Sequence, residues 1–333
     1  MRELNITEKE AGQRLDKLLA KYLNRAPKSF LYKMLRKKNI VLNDKRASGN
    51  EKLAAADVIR LYLSEETIQS FREEPPAAPS HPDKRKKTAL DVLYEDAQIL
   101  LINKPAGMLS QKAKATDCSL VEYLTDYLIE KKEITRESLE LFRPSVCNRL
   151  DRNTSGIVIA AKTLPAAQSM SLLLKDRRLY KEYLCVVPGE MHRPEHLTGY
   201  LVKDERNNRV SVFDSMRPNA SFIQTEYIPQ ICGNGFTLLR VHLITGRSHQ
   251  IRAHLASIGH PLVGDAKYGN ARINSRFRKE FGLDRQLLHS GRLLFPDMEG
   301  VCEGLSQKEF LAPPPGDFQN ISEALFGVRA FFT

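Results

Sequence analysis

Apolar residues near the start of the chain recur at the spacing of one helical face. Leu15, Leu18, Leu19, Tyr22 and Leu23 follow this spacing, so they predict a first amphipathic helix with one buried stripe. The proline-containing stretch at residues 26–29 then interrupts the helical pattern.

A second helix and short strands are predicted to complete this first region. The helix is expected to bury Phe30, Leu31, Met34 and Leu35, and its opposite face is basic. Apolar runs at residues 40–43 and 58–63 predict strands. Residues 1–70 are therefore expected to form a small α/β domain.

Strand-like runs dominate the chain from about residue 89 onward. Those near residues 91–96 and 99–102 predict a strand pair, and further runs lie at 157–161, 179–187, 210–213, 222–228 and 236–244. They match an antiparallel sheet better than a doubly wound one. We therefore expect an α+β fold, in which a mixed, mainly antiparallel sheet flanked by helices forms a catalytic domain over residues 89–333.

The stretch between these regions has a different composition. Residues 73–87 contain four prolines and end in a basic run, with no apolar periodicity. Residues 71–88 are therefore predicted to be an extended, semi-rigid linker that tethers the first domain to the second.

Net charge adds a class of partner to this picture. The 333 residues carry a formal charge of +11. Residues 1–62 hold fifteen Lys and Arg against seven Asp and Glu, an excess of eight positive charges. This concentration favours a polyanionic partner such as nucleic acid, although a charged helical face is also commonly just solvated.

The spacing of the cysteines and histidines argues against disulfide bonds and against a bound metal ion. The five cysteines are dispersed without a Cys-x-x-Cys pair, so we expect a reduced, cytoplasmic protein with neither a disulfide framework nor a zinc site. His249 and His254 are five residues apart, whereas helical metal pairs prefer four. No signal peptide or membrane-spanning apolar run is recognised.

One loop is the strongest candidate for chemistry. Residues 148–156 read Asn-Arg-Leu-Asp-Arg-Asn-Thr-Ser-Gly and run into an apolar strand. A carboxylate at the mouth of a rigid strand is a common way to present a reactive group. Alternatively, Asp151 pairs with its arginine neighbours and only shapes the turn.

This loop resembles the His-Arg-Leu-Asp-x-x-Thr-Ser-Gly signature of the RluA/RluC/RluD family of RNA pseudouridine synthases. Asn148 stands where the family usually has histidine. The resemblance implies that Asp151 is the catalytic aspartate and that Arg149 fills the place vacated when the target base flips out. Asn148 is expected to assist base flipping less strongly than histidine would.

Three further stretches resemble family motifs in the same order. They are the Asn-Lys-Pro-x-Gly loop at residues 103–107, Lys181-x-Tyr183, and Gly-Arg-Ser-His-Gln at residues 246–250. The resemblance implies that Tyr183 lies against the target base and that Arg247 pairs with Asp151. Lys104, Lys181 and His249 are expected to bind substrate.

The first region resembles an RNA-binding domain of the ribosomal-protein-S-four type. Lys38 and Ala56 stand where that pattern usually has glycine, which puts turn geometry in question. The RNA-binding residues implied are Arg14, Lys28, Lys33, Arg36, Lys37, Lys38, Asn43 and Lys45.

Together the resemblances imply an enzyme that isomerises specific uridines, with bacterial large-subunit rRNA as the expected target. Separately, we expect the protein to act as a monomer. The reaction has no redox change or net hydrolysis, so no cofactor is expected, and no phosphate-binding glycine loop is present. A glycosidase would need a second carboxylate flanking the bond, which the matched loops do not offer. A non-catalytic RNA-binding or ribosome assembly factor on the same scaffold is the remaining alternative.

Overall fold

The first region of the chain folds around its own apolar cluster. The computed structural model describes residues 1–72, 89–114 and 116–332. The elements of the first region are β1 (Arg2–Asn5), α1 (Leu15–Tyr22), α2 (Lys28–Arg36), β2 (Ile40–Leu42), β3 (Lys45–Arg46), β4 (Val58–Leu61) and α3 (Glu65–Ser70). The strands form an antiparallel sheet in the order β1-β4-β2-β3. The predicted apolar faces of α1 and α2 pack into the cluster, with Phe30 only partly buried.

Two turns of this region keep a left-handed backbone without glycine. Lys38 has φ 58° and Ala56 has φ 71°. These are the two positions at which the resemblance leads one to expect glycine. The turn geometry is therefore retained, at a cost on the order of 1 kcal/mol for each side chain in this conformation.

The second region is built mainly from strands. Its elements are β5 (Val92–Glu95), β6 (Ile99–Lys104), α4 (Leu120–Glu130), β7 (Ser145–Val146), β8 (Ser155–Ala161), α5 (Leu164–Lys175), β9 (Tyr180–Pro188), β10 (Glu195–Asp204), β11 (Arg209–Phe213), β12 (Ser221–Gly233), β13 (Phe236–Leu243), α6 (Gln250–Ser257), α7 (Ala271–Phe281), β14 (Leu288–Leu294), β15 (Glu309–Leu311) and α8 (Gly316–Phe326). Short 3-10 turns lie at Ser138–Glu140 and Gly300–Leu305.

These strands join into one long sheet. Its order is β11-β10-β12-β13-β9-β14-β8-β6-β5, with β15 paired to β14 and β7 to β8. The β8–β14 pair is parallel, and the other pairs in the described residues are antiparallel. The predicted α+β class with a mixed, mainly antiparallel sheet is confirmed. Among the helices of the described ranges, none has the length and apolar character needed to cross a bilayer.

The parallel contact between β8 and β14 depends on a glycine. Gly156 has φ 118°, and a Cβ atom built there would lie 2.0 Å from the Ser290 carbonyl oxygen. Only glycine lets the two backbones approach this closely. Because the Asp151 loop ends at Gly156, this contact also fixes the point at which the loop joins strand β8.

The two regions also contact each other directly. The Leu164 amide donates to the Lys9 carbonyl oxygen at 2.9 Å, and the Lys9 ammonium donates to the Glu133 carbonyl oxygen. Arg72 forms an ion pair with Glu140. The predicted linker falls largely on residues 73–88, which lie outside the described ranges. The sequence predicted a tether and gave no indication of these contacts.

Candidate active site

A buried lysine joins the Asp151 loop to the neighbouring loop. Lys104, at the end of β6, has no exposed surface. Its ammonium donates to the carbonyl oxygens of Pro105 and Met108 at 2.9 Å and of Arg152 at 3.2 Å. Burial lowers the pKa of Lys104 to about 7. The three donors of Lys104 are thus engaged by the protein itself, and its expected substrate contact stays a prediction.

Ser110 adds a second connection between the same loops. Its hydroxyl donates to the Leu150 carbonyl oxygen at 2.9 Å and lies 3.1 Å from the Leu150 amide, which donates to it. The backbone immediately before Asp151 is therefore fixed on both its donor and its acceptor side.

The Asn148 side chain connects the start of the Asp151 loop to strand β8. Its amide nitrogen donates to the Ile157 carbonyl oxygen at 3.2 Å, and its amide oxygen accepts from the Ile159 amide at 2.7 Å. The side chain thus bonds the backbone of β8 much as a strand residue would. Both polar groups of Asn148 are thus engaged in the fold, and its contribution to base flipping stays a prediction.

Asp151 is paired with an arginine of α6. Arg252 Nη1 donates to Asp151 Oδ2 at 2.7 Å. Its Nε and Nη2 donate to the two carboxylate oxygens of Asp265 at 2.7 and 2.9 Å. Arg252 therefore bridges two carboxylates, of which Asp265 is fully buried and Asp151 keeps 27% of its side chain exposed.

This pairing corrects the assignment of Arg247. Arg247 is exposed in the turn before α6, and within the described residues no ion pair or hydrogen bond joins it to Asp151. Sequence reasoning missed Arg252, which lies two residues after the motif at residues 246–250. Its spacing was the available signal: it precedes the buried Leu255 by three residues and so faces the core side of α6.

Electrostatics and backbone geometry both favour the bridged arrangement. Burial alone would raise the pKa of Asp265, but the Arg252 guanidinium and backbone N–H donors lower it below its usual range. Burial opposes the charge on Arg252, yet the two carboxylates raise its pKa overall. Gly264 places Asp265, since a Cβ at residue 264 would lie 2.0 Å from the Arg285 carbonyl oxygen.

The two oxygens of Asp151 differ in their environments. Oδ2 accepts from Arg252 and lies 3.9 Å from His249 Nε2. Oδ1 has no hydrogen-bond partner among the residues that the structure describes. The carboxylate is therefore anchored through one oxygen, while the other is available to react.

Tyr183 lies in the apolar surroundings of this carboxylate. It is buried on β9, and burial raises the pKa of its phenol to about 12, with a further contribution from the charge of Asp151. Tyr180 is arranged differently: its hydroxyl donates to Glu182 at 2.8 Å and its ring packs on His242. Lys181, between them, is largely buried, and burial lowers its pKa.

The predicted site residues thus divide into those near Asp151 and those engaged elsewhere. His249 lies near the Asp151 carboxylate, and Arg149, two residues before Asp151 in the chain, is exposed. His254 instead lies 3.0 Å from the Thr225 hydroxyl. Across residues 1–72, 89–114 and 116–332, no group of three or more His, Cys, Asp or Glu residues is arranged to hold a metal ion.

In the first region, most of the predicted RNA-binding residues are exposed. Six of them have exposed side chains that make no hydrogen bond or ion pair within the described residues, and we call these six the basic face: Lys28, Lys33, Arg36, Lys37, Lys38 and Lys45. Arg14 is exposed but donates to Asp16. The Asn43 amide bonds Asp57 and the Val58 backbone, both at 2.8 Å, so it is used in the fold.

Comparisons with known proteins identify the family to which the sequence is similar. Residues 98–257 match the family model described as RNA pseudouridylate synthase. The chain is 32% identical over 295 residues to the ribosomal large subunit pseudouridine synthase C of Vibrio vulnificus, covering 88% of this chain and 87% of that one. The protein of the same name from Escherichia coli (strain K12) is 32% identical over 297 residues, with 87% of each chain covered.

Two solved structures share the fold. Human RNA pseudouridylate synthase domain containing 1 superposes with a TM-score of 0.53 at 22% identity, over 74% of this chain and 91% of that one. Human RNA pseudouridylate synthase domain containing 4 gives a TM-score of 0.52 at 21% identity, over 68% and 88%.

Proposed function

The chain belongs to the RNA pseudouridylate synthase family, an isomerase family, and we propose that it converts specific uridines of large-subunit ribosomal RNA to pseudouridine. The rRNA target is supported by the names of relatives that match along most of their length. The chain's charge of +11 suits the same polyanion.

The observation that carries the catalytic assignment is the geometry of Asp151. Its carboxylate is bound and aimed by Arg252, which is itself fixed by a buried second carboxylate. Only Oδ1 is left to act on the sugar or the base, as nucleophile or as general base. Arg252, rather than Arg247, is the positioning cation in this proposal.

The isomerisation balances without any added group. The bond from ribose C1′ to uracil N1 breaks, a bond from C1′ to C5 forms, the C5 proton is lost and N1 gains a proton. Tyr183 offers an aromatic surface for the uracil ring and, with its pKa raised by burial, keeps its phenolic proton. No redox or hydrolytic partner is needed, so the proposal includes no cofactor.

The target uridine must leave its stack before it reaches Asp151, at a cost of about a few kcal/mol. Arg149 is exposed beside the carboxylate, and we assign it the space that the base vacates. The first region, proposed as an RNA-binding domain of the ribosomal-protein-S-four type, would hold the flanking RNA through its basic face. The protein would act on RNA in the cytoplasm as a monomer.

The test follows tritium release from RNA labelled at uridine C5. Wild type, Asp151→Asn and the matched control Asp176→Asn, an exposed carboxylate after α5, would be compared on naked rRNA and on ribosomal subunits. We expect release from wild type and the control but not from Asp151→Asn. RNA binding without release by wild type would instead support an assembly factor, and release by Asp151→Asn would remove Asp151 from the chemistry.

A further inference from the structure

His249 occupies a strained position between a phenol and the candidate catalytic carboxylate. Its Nδ1 lies 3.0 Å from Tyr268 Oη, and its Nε2 lies 3.9 Å from Asp151 Oδ2. Its φ of 55° is left-handed, a conformation that residues with a side chain rarely adopt. Because such strain persists only where the surroundings enforce it, the position of this imidazole is a specified feature of the fold.

Two contacts of His249, one with Tyr268 and one with Asp151, together favour one tautomer of its neutral ring. The Val210 amide donates to Tyr268 Oη at 2.9 Å, which leaves the phenolic hydrogen free to donate to His249 Nδ1. The opposite tautomer would turn a bare Nε2 lone pair toward the Asp151 carboxylate, which is repulsive. The favoured form of the neutral ring therefore carries its hydrogen on Nε2, facing Asp151.

The surroundings of the His249 ring, above all its burial, favour the neutral form near pH 7. Burial lowers the pKa of His249, and the positive charges of Arg252 and Lys267 lower it as well. Asp151 and Asp265 act in the opposite direction but do not reverse the shift. A neutral imidazole has one N–H to give, so its tautomer decides whether Asp151 receives it.

We propose that Tyr268 is a positioning residue that holds His249 as the Nε2–H tautomer, so that His249 and Arg252 both donate to Oδ2 of Asp151 and leave Oδ1 as the reacting oxygen. The inference rests on the proposed function and deepens it. The distance of 3.9 Å is longer than a hydrogen bond, and we expect it to shorten when uridine enters and excludes water, as catalytic contacts often do.

Tyr268 is itself firmly placed for this task. Its backbone amide donates to Asp265 Oδ1 at 3.2 Å, and the guanidinium of Arg252 lies 5.3 Å from its ring centroid. One buried carboxylate therefore orients both Arg252 and the segment that carries Tyr268. Arg252, which donates to Oδ2, and Tyr268, which contacts His249, therefore share a single anchor.

The first experiment removes only the phenolic hydroxyl. In Tyr268→Phe we expect kcat for tritium release to fall about tenfold, as for the loss of one partly buried hydrogen bond, with KM within about twofold. The matched control is Tyr227→Phe, at a buried tyrosine whose hydroxyl donates to Glu195 at 2.6 Å, and its kcat should change by less than about twofold. An equal fall in both variants would reduce Tyr268 to a structural role.

The second experiment reads the tautomer directly. Imidazole ¹⁵N shifts of the wild-type protein should show His249 protonated at Nε2 and bare at Nδ1 near pH 7, and Tyr268→Phe should shift this ring toward a mixture. Unchanged shifts and an unchanged kcat in Tyr268→Phe would overturn the proposal. If wild type released no tritium, the proposed function would fail while the ¹⁵N signature could still be read.

A double-mutant cycle separates positioning from folding. His249→Gln supplies an amide N–H that needs no tautomer control, so adding Tyr268→Phe to it should lower kcat by less than about twofold. A further tenfold loss in the double variant would mean that Tyr268 acts independently of His249, and the proposal would then be wrong.

Discussion

The candidate active site and the basic face use charge in opposite ways. In the active site, Asp151, Arg252 and Asp265 are joined by hydrogen bonds of 2.7 to 2.9 Å, and two of the three are buried. The basic face is exposed to solvent. Catalysis at the active site should therefore depend on the shape and position of each charged group. RNA binding by the basic face should depend mainly on the number of positive charges.

We expect the largest effect from a substitution that changes the shape of the Arg252 side chain but keeps its charge. Arg252→Lys keeps the positive charge but cannot bond both carboxylates at once, so we expect kcat to fall at least about 100-fold and unfolding free energy to drop by about 3 kcal/mol. Arg247→Lys should change kcat by less than about threefold. Single-turnover tritium release and urea unfolding would measure both. A larger kcat loss for Arg247→Lys would restore the pairing that the resemblance implied.

The next effect concerns the buried ammonium. Lys104→Met leaves carbonyl oxygens of two loops without their donor, so we expect about 3 kcal/mol of destabilisation and a lower kcat as the Asp151 loop loosens. Lys114→Met, at an exposed lysine, is the control. Urea unfolding gives the stability. A variant that raised KM alone at full stability would favour the original prediction of a substrate contact.

A third effect is a pH dependence located beside the Asp151 loop. His289 is buried, with Ser155 Oγ and the Ala312 carbonyl oxygen each 2.9 Å from its ring nitrogens, and burial lowers its pKa to about 4. Between the ordinary histidine pKa of about 6.5 and this value, the unfolded state binds a proton that the native state does not. Stability should therefore fall as pH drops through this window, by up to about 3 kcal/mol.

His289→Gln should flatten this dependence, because the amide can serve as donor and acceptor without titrating. The measurement is the difference in unfolding free energy between about pH 7 and pH 4.5. His192→Gln, at an exposed histidine, should keep the wild-type slope. An unchanged slope in His289→Gln would place the acid sensitivity elsewhere in the protein.

We expect the smallest effect from a change in the number of positive charges on the basic face. Replacing Lys33, Arg36 and Lys37 with glutamine should weaken RNA binding by about tenfold and reduce the salt dependence of binding by about three units of slope, with kcat unchanged. The control removes three charges from α7 instead, at Arg272, Arg278 and Lys279. Filter binding across a salt series measures both. Equal losses in the two variants would mean that net charge matters and the basic face does not.

The local sequence determined the elements and the position of the reactive loop. Helical spacing at residues 15–23, strand-like runs after residue 89 and the motif around Asp151 each lie within a few neighbouring residues, where side-chain period and turn chemistry act directly. The mainly antiparallel sheet and the family followed from these patterns. The excess of positive charge in the first 62 residues is likewise a property of the chain itself.

Tertiary structure decided which side chains meet. Arg252 and Asp151 are 101 residues apart, and only the packing of α6 shows that Arg252, rather than Arg247 five positions earlier, reaches the carboxylate. Lys104 and Asn148 carry polar groups that look available in the sequence, yet packing turns those groups toward backbone. Nothing in the sequence indicated a role for Tyr268, because its contacts with His249 and Val210 depend on how α6 and β11 pack around it. Burial and long-range hydrogen bonds arise only when distant segments pack together, and that packing assigned these roles.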